Sequence, residues 1–119
     1  MKNSDLSIAD CLERMLEAIA RIEHYTEDLT DDTFRIDSLV QDAVILNLGI
    51  IGSVACDVAR KRPDFAAAHA HVPWEKTCLA CNRLTRDYFS IDADRVWQTV
   101  VRDLPVLKEQ LAQIRRPTS

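Results

Sequence analysis

The fold is decided by the stretch Ile36–Ala59, IDSLVQDAVILNLGIIGSVACDVA. Its apolar residues recur at steps of three and four, which is the spacing of one face of a helix. That face is made by Ile36, Leu39, Val40, Ala43, Val44, Ile50, Ile51, Val54 and Val58. Because the face is wide, we expect this segment to be the central helix of the protein.

The two glycines of the chain, Gly49 and Gly52, lie three residues apart in this segment and therefore on nearly one face of the helix. Small residues let two backbones approach each other closely. We therefore expect another helix to pack tightly against the central one at this level.

Three further helices are predicted, one before the central helix and two after it. The first follows the N-cap Ser7 and runs to about Glu27, with a narrow stripe of Ile8, Leu12, Met15, Ile19 and Ile22. Thr30 or Asp31 can cap the next element, and Pro63 should end the central helix. The third helix runs from about Trp74 to Arg86 or Tyr88. The last helix opens at the N-cap Asp92.

Pro105 falls inside the last predicted helix and should kink it or divide it in two. Strand-type alternation is absent, and the chain has only two glycines and four prolines in 119 residues. We therefore predict an all-α protein, an antiparallel four-helix bundle that forms a single domain over residues 1–119. A bundle this small with wide apolar stripes is expected to form a twofold homodimer, with the third and last helices contributing to the contact.

The net charge of −4 excludes a generally basic nucleic-acid surface and leaves only a local arginine cluster for such contacts. Apolar residues make up 47% and charged residues 29% of the chain, as in globular proteins. We see no apolar run near the length of a membrane span and no signal-peptide core at the N-terminus. We therefore expect a cytoplasmic protein in which Cys11, Cys56, Cys78 and Cys81 are free thiols.

Cys78 and Cys81 form a C-x-x-C pair, a spacing that occurs in redox and zinc sites. The βαβ setting of redox pairs is absent, and His69 and His71, which could complete a zinc site, lie in an alanine-rich loop. The plainer interpretation is two small helix residues. We therefore expect neither a metal nor a cofactor.

The polar stretch Cys81–Tyr88, CNRLTRDY, interrupts the apolar pattern of the third helix. Asn82 and Arg86 are four residues apart and share a helix face, whereas Cys81 and Tyr88 are seven apart and share another. If the helix frays near Arg86, all four side chains can converge on one cleft. The alternative is an arginine-rich helix end that complements the helix dipole.

The chain resembles the HepT-like HEPN family, the toxin halves of HEPN–nucleotidyltransferase modules in prokaryotes. The resemblance rests on Val72-Pro73-Trp74, Asn82-Arg83-Leu84, Asp87-Tyr88-Phe89-Ser90-Ile91-Asp92, Val96-Trp97, Asp103-Leu104-Pro105, Asp42-Ala43-Val44, Asn47-Leu48 and Ile50-Ile51-Gly52. It implies an all-α homodimer and a metal-independent ribonuclease site that is shared across the dimer.

The family signature is R-x-x-x-x-H-x-Y with a polar residue, often Asn, straight after the Arg. Asn82 and Tyr88 match it, whereas Cys81 stands at the Arg position and Arg86 at the His position. Ser53 is a further departure, because relatives usually have an acidic residue there. Arg86 stays protonated at physiological pH and cannot act as a base, although it can bind phosphate.

The resemblance implies a toxin of a type VII toxin–antitoxin module, a ribonuclease neutralised by a nucleotidyltransferase antitoxin that can modify Tyr88 with AMP. The alternative is a catalytically inactive relative that binds RNA or its cognate partner without cleavage. A third interpretation is an unrelated helical interaction module. Cys81, Asn82, Arg86 and Tyr88 are the predicted site residues in the first two interpretations.

Overall fold

The computed structural model describes residues 7–86 and 90–115. Its elements are α1 (Ile8–Thr26), α2 (Asp31–Arg35), α3 (Ser38–Lys61), α4 (Pro63–Ala68), α5 (Trp74–Arg86), α6 (Ala93–Gln98), a π-helical segment (Thr99–Asp103) and α7 (Leu104–Arg115). These residues contain no strand, so the all-α prediction is confirmed.

Side-chain caps fix where several helices begin. Ser7 Oγ accepts a hydrogen bond from the backbone N–H of Asp10 at the start of α1, and Asp92 Oδ1 accepts one from Arg95 before α6. Thr30 caps α2 in a reciprocal pair with Thr33. Each cap satisfies a backbone donor that the first turn of a helix leaves free.

The central helix is α3, which packs against α1 on one side and α5 on the other. Its fully buried residues are Val44, Leu48, Ile51, Ala55 and Val58. The prediction was wrong at the start of this helix. Ile36 is the C-cap of the short helix α2, and Ile36 and Leu39 are 83% and 79% exposed.

Helices α3 and α5 run in opposite directions with a close contact between them. Going up α3 and down α5, the contacts are Gly49 with Thr85, Gly52 with Cys81, Cys56 with Cys78, and Arg60 with Glu75. A Cβ atom on Gly52 would lie only 2.5 Å from Cys81 Cβ. The predicted close approach is therefore confirmed at Gly52, whereas Gly49 makes only an ordinary contact.

The last helix is divided as Pro105 predicts. The backbone N–H of Leu104 bonds to Thr99 O, five residues back, so the segment before the proline is π-helical. Proline lacks an N–H and its ring crowds the carbonyl four residues earlier, and one wider turn relieves both problems. The result is a last helix in which the π-helical segment separates α6 from α7.

Contacts distant in sequence hold the short helices and the last one in place. The ring of Phe34 in α2 lies 5.1 Å from that of Trp97 in α6, and Arg35 Nη2 lies 2.9 Å from Asp94 Oδ1. Lys108 Nζ lies 3.1 Å from Glu23 Oε1, which ties α7 to α1.

Helix α3 is long and apolar enough to cross a membrane by length and composition alone, with a mean hydropathy of 1.8. The core helix of a water-soluble protein passes the same test, and α3 packs between α1 and α5. Only 39% of its most apolar window is buried. Much of the apolar surface of α3 is therefore left uncovered by the described part of the chain.

Candidate functional site

The last turns of α5 carry three of the four predicted site residues. Asn82 and Arg86 are exposed and share one face of α5, as their spacing predicts. Cys81 is only 4% exposed. Tyr88 lies outside the described residues. The described part of the site is therefore a pair of polar side chains at the surface with a thiol buried beneath them.

Cys81 is buried because α3 comes closest to α5 at this position, where Gly52 faces it. Burial, and to a smaller degree the negative charge of Asp103, raises the pKa of the Cys81 thiol to about 11. The thiol is therefore neutral at pH 7 and supplies neither a nucleophile nor a positive charge. Cys81 therefore does not share the exposed surface of Asn82 and Arg86, whereas the convergence with Tyr88 stays a prediction.

Asn82 is turned towards α3. Its Nδ2 lies 3.7 Å from Cys56 Sγ and 3.9 Å from Cys78 Sγ, both within the reach of weak N–H···S hydrogen bonds. The Thr85 hydroxyl donates to the Asn82 carbonyl at 3.4 Å. The amide of the motif asparagine is thus in contact with one sulfur atom of α3 and one sulfur atom of its own helix, a turn earlier.

Those two sulfur atoms belong to a disulfide bond between Cys56 and Cys78. The prediction of four free thiols is therefore wrong for this pair, whereas Cys11 and Cys81 are free and buried. The signal was present but required the helix register. Once Gly52 is opposite Cys81 in antiparallel helices, Cys56 and Cys78 must come together.

The zinc alternative loses one of its ligands to this bond. Cys78 is bonded to Cys56, and His71 Nε2 lies 3.4 Å from the carbonyl of Gln110. The indole of Trp74 donates to the carbonyl of His69 at 3.1 Å. Within residues 7–86 and 90–115, no three His, Cys, Asp or Glu side chains gather as metal ligands.

Two of the grooves that border α5 reach its C-terminal half and differ in character. The one towards α1 and α3 has a volume of ≈ 420 Å³ and is lined by Arg14, Ile45, Leu46, Gly49, Ile50, Ser53, Val54 and Thr85. The one towards α6 and the π-helical segment has a volume of ≈ 540 Å³ and is lined by Ala80, Arg83, Leu84, Asp92, Asp94, Arg95, Gln98, Thr99 and Asp103. We call them the α3 groove and the α6 groove.

The α3 groove contains one guanidinium, two hydroxyls and no carboxylate. Arg14 is a candidate site residue that sequence reasoning missed, because it lies 67 positions before the start of the motif at Cys81 and has no motif of its own. Ser53 lies in the same groove. An anionic ligand next to Thr85 would therefore meet the positive charge of Arg14 and the hydroxyl of Ser53 here.

The chemistry available at the described motif positions is anion binding. Arg86 carries a permanent positive charge, Asn82 has an amide, and Cys81 is a neutral buried thiol. None of these three groups can exchange a proton near pH 7. A histidine at position 86, as in the R-x-x-x-x-H-x-Y signature, could do so.

Comparison with known proteins identifies the family of the chain. The chain matches the family described as "Ribonuclease HepT-like" over residues 15–114. It is 34% identical over 107 residues to "Probable ribonuclease HepT" of Thermococcus cleftensis, covering 90% of this chain and 94% of that protein. No solved structure matches the chain.

A second relative is "Gamma-glutamylcyclotransferase and putative RNase" of Methanocaldococcus jannaschii, 36% identical over 103 residues. The match covers 87% of this chain and 45% of that protein, so the chain spans less than half the length of this relative. Both relatives carry a ribonuclease name, and the family match covers most of the chain. The chain belongs to the HepT-like ribonuclease family.

Proposed function

We propose that the protein is a HepT-like toxin that binds RNA and, in the form of this sequence, cleaves it slowly. The observation that carries the proposal is the exposed pair Asn82 and Arg86, next to the α3 groove, in a member of a ribonuclease family. A guanidinium and an amide at the end of α5 can hold a phosphodiester.

The two exchanged positions explain why turnover is slow. Cleavage of RNA requires a group that takes the proton of the 2′-hydroxyl or gives one to the leaving oxygen. Loss of such a group costs roughly 10²–10⁴ in rate. Loss of a fixed positive charge at position 81 costs on the order of a further 10²–10³. Arg86 retains phosphate binding without proton transfer.

A second candidate function is RNA binding, or binding of the cognate partner, with no cleavage at all. It is favoured by the burial of Cys81, whose thiol stays neutral, together with the permanent charge of Arg86. With neither motif position able to move a proton near neutral pH, an RNA complex would persist rather than react.

The proposed site is shared between two copies of the chain. Ile36, Leu39 and Leu46 are 83%, 79% and 66% exposed, and Leu46 also lines the α3 groove beside Thr85. Large exposed apolar patches mark interaction surfaces. A twofold contact through this surface would place the two α5 ends around one RNA-binding cleft. We call Leu39 and Leu46, together with Ile36 just before α3, the α3 stripe.

The proposed partner is a nucleotidyltransferase antitoxin that transfers AMP to Tyr88. Tyr88 follows Arg86 by two residues, so AMP on its hydroxyl would add a phosphate within two residues of a proposed phosphate-binding side chain. The added negative charge would repel RNA phosphates and block the site. This mode of neutralisation needs no change in the fold.

The test is cleavage and binding of labelled RNA by four chains at equal concentration with a chelator present: the native chain, Arg86→His, Cys81→Arg and the double variant. We expect salt-sensitive RNA binding by the native chain and little cleavage. Arg86→His should restore more activity than Cys81→Arg, because charge cannot replace proton transfer, and the two changes should be non-additive.

Two results would contradict the proposal. If the native chain cleaves RNA as fast as the double variant, the chemistry does not lie at Cys81 and Arg86. If the native chain and the Arg86→His variant, both of which keep the buried Cys81, neither bind nor cleave RNA, the α5 end is not an RNA site. Restored cleavage without RNA binding by the native chain would favour the partner-binding function.

A further inference from the structure

The disulfide between Cys56 and Cys78 lies one helical turn from the candidate site. It joins α3 to α5 with a Cα–Cα distance of 4.8 Å, and Cys78 comes three and four residues before Cys81 and Asn82. Cys56 is half-buried, whereas Cys78 is fully buried. A thiol arriving from solvent can therefore attack the bond at Cys56.

Asn82 connects this bond to the site. Its Nδ2 is within 3.7 Å of Cys56 Sγ and 3.9 Å of Cys78 Sγ, although the residue as a whole is exposed. Asn82 is also one of the two surface residues proposed to hold RNA. The two sulfur atoms are thus in direct contact with a residue of the proposed RNA site.

We propose that Cys56–Cys78 is a reversible thiol–disulfide modification site that sets the position of the Asn82 amide. The reagent class is a dithiol reductant in one direction and its disulfide form in the other. The effect on RNA rests on the proposed function, whereas the modification itself does not.

The exchange proceeds in two steps. A thiolate of the reductant attacks Cys56 Sγ, the S–S bond breaks, and its electron pair leaves on Cys78 Sγ, which takes up a proton. The reductant is now joined to Cys56 by a mixed disulfide. Its second thiol attacks its own first sulfur atom, the bond to Cys56 Sγ breaks, and Cys56 is released as a thiol. The sum is one protein disulfide and one dithiol converted into two protein thiols and one reductant disulfide.

Asn82 has a role in the first step. Cys78 is fully buried, and a buried thiolate is poorly stabilised because it has lost its water. The Nδ2 group of Asn82, 3.9 Å from Cys78 Sγ, can donate to the negative charge as it develops. Replacing Asn82 with Ala should therefore slow reduction of the bond several-fold.

Reduction changes the space around Asn82. Two sulfur atoms that are no longer bonded stay roughly 3.5–4.0 Å apart, as other non-bonded atoms do. Gly52 and Cys81 pack closely and keep the two backbones together, so we expect the sulfur atoms to separate by rotation of the cysteine side chains. The sulfur atoms therefore leave the positions that the Asn82 amide contacts, and Nδ2 becomes available to an RNA phosphate.

The first experiment tests the modification without RNA. The side-chain NH₂ signals of Asn82, assigned with Asn82→Ala, are followed in ¹H–¹⁵N spectra while a dithiol is added to the native chain, to Cys56→Ser and to Cys11→Ala. We expect these signals to move in the native chain and in Cys11→Ala, which retains the pair. In Cys56→Ser they should already be at the reduced position. Labelling of all four thiols in the denatured, untreated chain would overturn the proposal.

The second experiment measures RNA affinity of the same chains in both redox states. We expect RNA to bind three- to tenfold more tightly after reduction in the native chain and in Cys11→Ala, with no change in Cys56→Ser, since one hydrogen bond is gained. Moving NH₂ signals with unchanged RNA affinity would overturn the coupling. Moving signals with no RNA binding in either state would overturn the proposed function and leave the modification site standing.

Discussion

The two sides of α5 differ in packing and in charge. On the side of α3, Gly52 allows close approach, a disulfide joins the helices, and the adjoining groove has no carboxylate. On the side of α6, the groove is larger and contains three aspartates against two arginines. Groove volume therefore does not identify the candidate site here, because the smaller groove is the one whose charge suits a polyanion.

The largest expected effect concerns the covalent bond on the α3 side. The disulfide closes a segment with a sequence separation of 22 residues. In the chain-entropy account, a loop of this length stabilises a protein by roughly 3 kcal/mol. We therefore expect reduction to lower the Tm by roughly 10–20 °C.

The measurement is thermal unfolding by circular dichroism with and without a dithiol. Cys56→Ser should unfold at the temperature of the reduced native chain under both conditions, and Cys11→Ala should keep the dependence on reductant. An equal Tm for the oxidised and reduced native chain would show that this bond does not stabilise the packing of α5 against α3.

The next effect concerns Cys81, between the two sides. Its pKa in the folded chain is raised to about 11 from an ordinary value of 9.0. Between these values the unfolded chain has lost the proton and the folded chain retains it. The contribution to stability is therefore fully present below pH 9 and is lost as the pH rises towards 11.

We expect the stability difference between the native chain and Cys81→Ala to shift against the native chain by roughly 2 kcal/mol between pH 9 and pH 11. Urea unfolding of both chains at several pH values gives this difference, in which the titration of other groups cancels. A difference independent of pH would show that the thiol is hydrated and not held in the interface between α3 and α5.

The sequence predicted features that depend on local signals. Ser7 and Asp92 are caps, and Pro105 divides the last helix, because each acts on its own turn. Helix α2 has only five residues, which is too few to show a helical periodicity of apolar residues. The Cys56–Cys78 bond could not be predicted, because it depends on how two helices are aligned along each other.

The candidate site was predictable to the same degree. The shared face of Asn82 and Arg86 follows from a spacing of four residues on one helix. The burial of Cys81 and the approach of Arg14 depend on α3 and α1, and no local pattern reports them. Periodicity also placed Leu39 on an apolar face without indicating that the described chain leaves it exposed.

The α3 stripe provides a third test, because it would extend the contacts on the α3 side to a second copy. Leu46→Glu places a charge in the proposed twofold contact. Burying an unpaired charge there should cost about 2 kcal/mol or more, which weakens the dimer by roughly 30-fold or more. Light scattering over a concentration series measures this change.

The matched control is Val106→Glu on α7, since Val106 is 56% exposed and Leu46 is 66% exposed. We expect this control to leave the dimer unchanged. If Val106→Glu separates the copies and Leu46→Glu does not, the contact uses the last helix, in agreement with the expectation from the sequence alone. A native chain that is monomeric at every concentration would exclude a shared site.

The smallest expected effect tests the comparison of the two grooves directly. Arg14 lies in the α3 groove without a carboxylate neighbour in its lining, whereas Arg95 lies in the α6 groove with three aspartates. Each variant, Arg14→Ala or Arg95→Ala, removes one exposed positive charge, so the two chains have the same net charge. Any difference between them in RNA affinity therefore comes from position.

We expect Arg14→Ala to weaken RNA binding by roughly three- to tenfold and Arg95→Ala to change it by less than about twofold, because a single surface phosphate contact contributes about 1 kcal/mol. The slope of log affinity against log salt should fall by roughly 0.7 for Arg14→Ala only, since one fewer counterion is released. Equal losses in both variants would mean that RNA responds to net charge alone. A larger loss for Arg95→Ala would place the RNA in the α6 groove, where the aspartates would then have to be neutralised by a cation or by the partner.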